Sequence, residues 1–123
     1  MRELTIQAMS DTNSADDRLA LDSELSQLEL EITRIGSTTS FGGKPVFDGK
    51  LHYPQIGPRS GNTLEVQAYT LSAYTLVLTQ DLTTRNNAEN YLGIIDTAIE
   101  DINERRGAAG ASVSYTHLRA HET

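Results

Sequence analysis

The chain lacks several residue types on which common protein chemistries depend. Its 123 residues include no cysteine, which excludes disulfides, thiolate metal ligands and a cysteine nucleophile. Tryptophan is also absent and aromatic residues make up only 6%. So few large apolar side chains favour an elongated helical shape with much solvated surface over a compact sphere. The length allows a single domain with one modest core.

Positive charge is also scarce. Ten Lys and Arg residues stand against 17 Asp and Glu residues, which gives a net charge of −7, and the only adjacent basic pair is Arg105–Arg106. Because phosphate binding needs a clustered basic face, we expect no nucleic-acid partner. No apolar run approaches the roughly 18 residues of a membrane span, so we expect no membrane partner either. Residues 1–5 lack the features of a cleavable secretory signal, so an extracellular form would need another export route.

Candidate chemical sites are few and weak. His117 and His121 have the spacing that places two imidazoles on one helix face, but no further pattern supports a metal site. The carboxylates from Asp11 to Asp22 depart from a calcium loop at its glycine and glutamate positions, so helix capping is the better interpretation. His52 has no nucleophile pattern near it. We therefore predict no catalytic residue, no metal site, no cofactor and no enzyme activity.

The strongest pattern is that of a helix over residues 15–35. Its apolar residues recur at steps of 4, 3, 4 and 3, which is the a/d seam of packed helices. Ser14 or Asn13 can cap this helix, with Asp16 and Asp17 in its first turn, and Gly36 is predicted to end it. The predicted seam consists of Leu21, Leu25, Leu28, Ile32 and Ile35.

Two further helices are predicted on either side. Residues 1–9 are good helix formers that start without a cap. Another helix should begin near Thr84, whose hydroxyl can cap it, and run to about residue 112. Its predicted seam consists of Tyr91, Leu92, Ile95, Ala98, Ile99 and Ile102. Two seam-bearing helices separated by an insertion can lie antiparallel and share one core.

The helical period is lost between residues 36 and 82. Residues 46–51 predict a short hairpin with its turn at Asp48–Gly49, and residues 52–68 predict a second hairpin around a turn at 58–62. Residues 69–82 fit an extended or a loosely helical conformation equally well. The predicted fold class is mainly α, an elongated antiparallel helical bundle or coiled-coil rod with a small β-hairpin region.

Four separated motifs resemble those of bacterial flagellins. MRELTIQA followed by DTNS is similar to the flagellin pattern M-R-E-L-A-x-Q-A … G-T-N-S, and EITRI followed by TTSFGG is similar to E-I-D-R-I … T-x-F-N-G. QIG followed by GNTL is similar to Q-I-G-x-x-x-G-D-T-I, and IDTAI followed by INERR and GA to I-D-x-A-I … I-N-x-x-R-x-x-L-G-A. The chain departs from these patterns at Gly42, where the family has Asn, and at Ala109, where it has Leu. The ordered motifs cover residues 1–111.

The resemblance implies a domain organisation and a role. Residues 1–35 would be N-terminal core helices, residues 36–82 a loop and β-hairpin region, and residues 83–112 the C-terminal core helix. The chain would be part of an extracellular structural subunit of the flagellar filament, which self-assembles for motility with identical subunits. Flagellins leave the cell through the flagellar type III export apparatus. The alternatives are a hook–filament junction protein and a generic coiled-coil interaction module.

The resemblance also concerns what lies beside this core. Flagellins carry terminal coiled-coil segments that would precede Met1 and follow Ala111. Leu4 and Glu24 match positions at which flagellins contact the flagellin-sensing toll-like receptor.

Residues 113–123 match no flagellin pattern. They match instead one reading frame of the transposase adapter used in sequencing libraries. We therefore expect these eleven residues to be non-native read-through, which sequencing of the intact gene would test, and exclude them from functional reasoning.

Overall fold

Three α-helices and two small hairpins form the structure, a computed structural model that describes residues 1–73, 75–76, 78 and 81–122. Of residues 120 and 122 only the backbone is described. The helices are α1 (Arg2–Ala8), α2 (Ala15–Thr38) and α3 (Arg85–Glu122). The strands are β1 (Ser40–Phe41), β2 (Lys44–Pro45), β3 (Leu51–His52) and β4 (Val66–Gln67). The predicted class, a mainly helical chain with small antiparallel hairpins, is confirmed.

Polar side chains close the start of each long helix. The backbone N–H of Asp17 donates to Ser14 Oγ at 3.1 Å, and the N–H of Ser14 donates to Asp17 Oδ2 at 2.9 Å. This capping box lowers the pKa of Asp17, because the carboxylate accepts a backbone hydrogen bond. At α3, the N–H of Asn87 donates to Thr84 Oγ1 at 3.2 Å. The caps predicted at Ser14 and Thr84 are therefore confirmed.

The polar break between α1 and α2 satisfies the carbonyls at the end of α1. Asn13 Nδ2 donates to the carbonyls of Gln7 at 2.6 Å and Ser10 at 3.0 Å. The Arg18 guanidinium donates to the carbonyls of Ala8 and Ser10. A helix end leaves its last carbonyls without intrahelical partners, so these side chains fix the turn by supplying the missing donors.

Two local predictions were wrong. Gly36 does not end α2, which continues to Thr38. Gly36 is a buried helical residue, and the backbone of Leu71 lies where its side chain would be. The first hairpin pairs Ser40 with Pro45 and Phe41 with Lys44, so its turn lies at Gly42–Gly43, where both φ angles are positive. Only glycine adopts such angles readily, and this double glycine decides the turn.

The region around Asp48–Gly49 is a turn without a hairpin. The N–H of Lys50 donates to Asp48 Oδ1 at 3.0 Å, and Gly49 has a φ of 70°. The second predicted hairpin is present as β3 and β4, paired antiparallel through Leu51↔Gln67 and His52↔Val66. A further bridge joins Gln55 to Thr63.

The return segment, residues 69–82, is the part of the chain that joins the β region to α3. Its described residues form no helix, although Ser72 and Thr75 close a short turn through their hydroxyls. Residues 74, 77, 79 and 80, on which the ambiguous prediction for this stretch also falls, lie outside the described residues. The segment runs antiparallel to α2, since Leu82 lies beside Asp22 while Ala73 lies beside Thr33.

The order of contacts fixes the helix directions. Arg2 pairs with Asp96 and Asp11 pairs with Arg85, so α1 runs antiparallel to α3. The antiparallel pairing in the bundle is therefore between α1 and α3. The two seam-bearing helices were predicted to lie antiparallel, and this prediction was wrong: α2 and α3 run in the same direction, because the return segment carries the chain back along α2 before α3 begins.

One core joins all these elements. It holds side chains from α1, α2, the return segment and α3: Ala8, Leu21, Leu25, Leu76, Leu78, Leu82, Ala88, Tyr91, Ile95 and Ala98. Helix α3 continues from residue 112 to Glu122 without a break, so no change of secondary structure marks the boundary predicted there. Val113, Tyr115 and Leu118 are exposed on that last stretch.

The contact at Gly36 generates the first prediction. A Cβ at residue 36 would overlap the carbonyl oxygen of Leu71. Gly36→Ala should therefore destabilise the fold by about 1–3 kcal/mol, the usual cost of overpacking, although alanine favours helix. Urea unfolding followed by far-UV circular dichroism measures the change.

Gly93→Ala is the matched control. Gly93 is also helical, and outside the adjoining backbone of its own helix no described atom lies within 4 Å of the position of its Cβ. This control should stabilise the protein by up to about 1 kcal/mol through helix propensity alone. Equal stabilisation by both substitutions would contradict the close approach of Leu71.

Candidate packing core and assembly surface

The return segment is the element that holds the two long helices together. The N–H of Leu82 donates to Asp22 Oδ1 at 2.9 Å, and the N–H of Ala73 donates to Thr33 Oγ1 at 3.1 Å. Side chains of α2 thus satisfy backbone donors that a non-helical segment cannot pair internally. On the other side, Arg105 of α3 donates to the Thr70 carbonyl at 3.4 Å and lies 4.7 Å from the centre of the Tyr69 ring.

The exposure of the predicted seam residues of α2 increases from the N-terminal to the C-terminal end of the helix. Leu21 and Leu25 are buried in the core, Leu28 and Ile32 are half-buried, and Ile35 is exposed. Beside Ile35, the backbone of Leu71 lies against Gly36, so backbone rather than a second apolar side chain occupies the space there.

The predicted seam of α3 divides in the same way. Tyr91, Ile95 and Ala98 are buried and Leu92 is half-buried, whereas Ile99 and Ile102 are exposed. Arg2 of α1 pairs with Asp96, and Ile99 and Ile102 lie beyond this level on α3.

Several core residues were missed by the sequence reasoning. Thr5 and Ala8 are buried on α1, and Leu76, Leu78 and Leu82 are buried on the return segment. The step of two from Leu76 to Leu78 is a strand-like alternation that could have indicated an extended segment with one buried face. Thr5 gave no signal, since its hydroxyl is satisfied within α1 by the Met1 carbonyl at 3.0 Å.

A polar pair joins α2 and α3 at the edge of the core. Tyr91, fully buried, donates its hydroxyl to Glu29 Oε1 at 2.6 Å. Burial raises the pKa of Glu29, the Tyr91 hydrogen bond partly opposes that rise, and the nearby Asp22 carboxylate adds to it. Burial and the Glu29 carboxylate also raise the pKa of Tyr91. The pair links α2 to α3 directly, through a residue of α2 that lies outside the predicted apolar seam.

The two residues matched to receptor contact lie in different environments. Leu4 is half-buried and packs against the core, whereas Glu24 is exposed on α2. Leu4 lies on α1 and Glu24 lies on α2.

The described residues show little sign of other chemistry. They contain no group of three or more His, Asp or Glu side chains arranged to hold a metal ion. His117 and His121 contact each other edge-on, with ring centres 4.9 Å apart. None of the helices described is long and apolar enough to cross a membrane.

Comparison with known proteins supplies the family. Residues 1–52 match the model of the bacterial flagellin N-terminal helical region. A solved structure, that of Bacillus cereus flagellin, superposes with a TM-score of 0.83 at 31% identity and covers 99% of this chain and 73% of the other. The chain belongs to the flagellin family. The helical core described above is thus a flagellin core, as the four motifs predicted.

Curated relatives extend the match beyond the N-terminal helices. The flagellin of Halalkalibacterium halodurans is 34% identical over 116 residues, which is 90% of this chain and 43% of that protein. Flagellin A of Vibrio anguillarum is 44% identical over 66 residues, or 52% of this chain and 17% of that protein. The chain therefore spans less than half the length of the curated flagellins it matches.

The Tyr91–Glu29 pair generates a prediction about pH. Since the folded-state pKa of Glu29 lies above its ordinary value of 4.5, ionised Glu29 opposes folding, and stability falls as pH rises from that value through the folded pKa. Glu29→Gln keeps an oxygen acceptor for Tyr91 but cannot ionise. It should therefore raise the melting temperature at pH 7 relative to the parent and flatten its change between about pH 4 and 7.

Two variants control this experiment. Tyr91→Phe removes the donor and should cost about 1.5–3 kcal/mol at pH 7, the usual worth of a hydrogen bond to a charged group. Glu24→Gln, an exposed change on the same helix, should leave the pH profile of stability unchanged. If Glu29→Gln and Glu24→Gln gave the same profile, the half-buried carboxylate of Glu29 would not be the group whose ionisation opposes folding.

Proposed function

We propose that this chain is the core of a structural subunit of the bacterial flagellar filament. The observation that supports this most directly is the match of nearly the whole chain to a solved flagellin. The chain's chemistry agrees with such a role, because its long helices and charged surface suit an assembling rod. In this proposal the partners are identical subunits, and the subunit acts by packing and performs no catalysis.

The exposed apolar residues support assembly. Ile99 and Ile102 continue the buried face of α3 beyond the end of α1, and Leu19 and Leu30 lie on the outer side of α2. Exposed apolar side chains arranged on helix faces are typical of surfaces that other helices cover. The family's terminal coiled-coil segments would cover the first of these sites, and neighbouring subunits the second.

The route to the filament follows from the family. We propose that the full-length parent leaves the cell through the flagellar type III export apparatus and that its place of action is extracellular. A core stabilised without disulfides suits a protein that is exported unfolded and folds where it assembles, because no oxidation step is needed before folding.

Elongation of filament seeds tests the filament role. The purified full-length parent, added to sheared filaments of the same organism, should lengthen them when followed by light scattering and electron microscopy. Residues 1–111 alone should remain soluble and partly helical without forming filaments, since they lack the terminal segments. Failure of the full-length parent to elongate seeds would overturn the proposed function.

We also propose that Glu24 forms part of a surface recognised by the flagellin-sensing toll-like receptor. Its exposure on α2 makes it available to a partner without disturbing the core. Glu24→Ala in the full-length parent should weaken receptor binding by about fivefold, equivalent to about 1 kcal/mol. Surface plasmon resonance with the receptor ectodomain measures this, and Asp16→Ala is the control at another exposed acid of α2. Equal effects of the two changes would argue against a specific role for Glu24.

A further inference from the structure

A small apolar pocket lies between the start of the return segment and α3. It has a volume of about 330 Å³, and the side chains of Phe47, Leu71 and Ile102 line it. None of its lining residues is acidic, although the chain as a whole carries −7. We name it the Phe47 pocket.

The wall that α3 contributes contains both apolar and basic side chains. Ile102, Arg105, Arg106 and Ala109 all line the pocket and follow one another at steps of 3, 1 and 3. Residues at this spacing share one side of a helix. The only adjacent basic pair of the sequence is therefore placed at an apolar cavity.

Arg105 is fixed in the wall and its charge is already paired. Its Nη2 lies 2.9 Å from Asp101 Oδ2, and its side chain is only 29% exposed. The guanidinium carbon also lies 4.7 Å from the centre of the Tyr69 ring, which lines the same pocket. Arg105 thus shapes the cavity and holds Tyr69 beside it, and its charge is largely satisfied within the chain.

Arg106 is in a different position. It lines the pocket and is exposed, and it forms no hydrogen bond or ion pair with any other residue that the structure describes. A guanidinium presents its N–H donors in a rigid plane that matches the two oxygens of a carboxylate. An apolar cavity with such a cation at its rim favours a ligand that combines an apolar body with one anionic group.

The size of the pocket limits the ligand. Small-molecule sites have volumes of roughly 300–1,000 Å³, and this one lies near the lower limit. The rings of Phe47 and Tyr69 offer faces against which an aromatic body can pack. Ala109 contributes only a methyl group to the lining, so a larger side chain at this position would take up part of the cavity.

We propose that the Phe47 pocket binds a small amphipathic anion, a compact apolar body that carries one carboxylate or sulfonate group. The body displaces water from Phe47, Leu71 and Ile102, and the anionic oxygens accept hydrogen bonds from the guanidinium of Arg106. Burial of apolar surface supplies affinity, and the charge supplies the preference for anions. One chain forms the whole site, so the inference goes beyond the filament function and does not depend on it.

Titration with naphthoate, an aromatic carboxylate, tests the site. The chain contains no tryptophan, so the fluorescence of the naphthalene ring can be followed without interference from indole. Fluorescence anisotropy should show one saturable site for naphthoate. Its affinity should be about tenfold higher than that of naphthamide, which has the same ring and no charge. Equal affinities for the two probes, or no saturable binding of naphthoate, would overturn the proposal.

Removal of the charge tests the role of Arg106. Arg106→Gln should lower the affinity for naphthoate about tenfold, to that of naphthamide, and leave naphthamide binding and the circular dichroism spectrum unchanged. Arg59→Gln is the matched control, since Arg59 is also exposed and lies outside the pocket. This control should keep the preference for naphthoate. Equal losses in both variants would indicate attraction to positive charge in general and would argue against a specific site.

Filling the cavity tests where the ligand lies. Ala109→Leu should weaken binding of both probes roughly tenfold or more, because the leucine side chain occupies their space, while the melting temperature of the unliganded chain does not fall. Gly110→Ala is the control at the next residue, which does not line the pocket, and it should bind both probes as the parent does. Unchanged naphthoate binding by Ala109→Leu would overturn the assignment of the ligand to the Phe47 pocket.

Discussion

The fold depends on the passage of the return segment between α2 and α3. Two parallel helices joined in sequence need a long connection that runs back along them, and here that connection contributes core leucines as well as covalent linkage. Its close approach to α2 is possible because Gly36 has no side chain where the Leu71 carbonyl lies. Side-chain oxygens of Asp22 and Thr33 accept hydrogen bonds from two backbone N–H groups of the segment, those of Leu82 and Ala73. Without this segment, α2 would retain the Tyr91–Glu29 hydrogen bond and its packing on α1, with far less apolar burial.

The helices were predictable because their signals are local. The 4–3 spacing, the Ser14 cap and the Thr84 cap each act within one or two turns, and each stands where the sequence indicated. The errors have non-local causes. Gly36 was predicted to end a helix because glycine often does so, but a carbonyl 35 residues further along the chain takes up the space that its missing Cβ leaves. The hairpin was misplaced because Asp-Gly and Gly-Gly are both good turn sequences, and only pairing of the flanking residues decides between them.

The exposed apolar residues show what sequence periodicity leaves undetermined. A heptad pattern predicts which side chains share a face and is silent about which partner covers them. Ile99 and Ile102 belong to the same face as Ile95, yet only Ile95 is buried, and the other two lie beyond the level at which Arg2 pairs with Asp96. Glu29 lies outside the apolar seam of α2, yet it receives the hydroxyl of a buried tyrosine. Which element lies opposite each side chain is decided by the whole fold, and no single helix encodes it.

The proposed role requires a subunit that is stable alone and also retains surface for its neighbours. Burial of one face of each helix provides the stability, and exposed apolar side chains on α2 and α3 remain available for contact with neighbours. The charge distribution of the chain keeps these requirements compatible, because its acidic side chains favour solubility of the free subunit. On the outer side of α2 the hydroxyl of Ser26 is already satisfied within its own helix, so covering it would leave no unpaired donor.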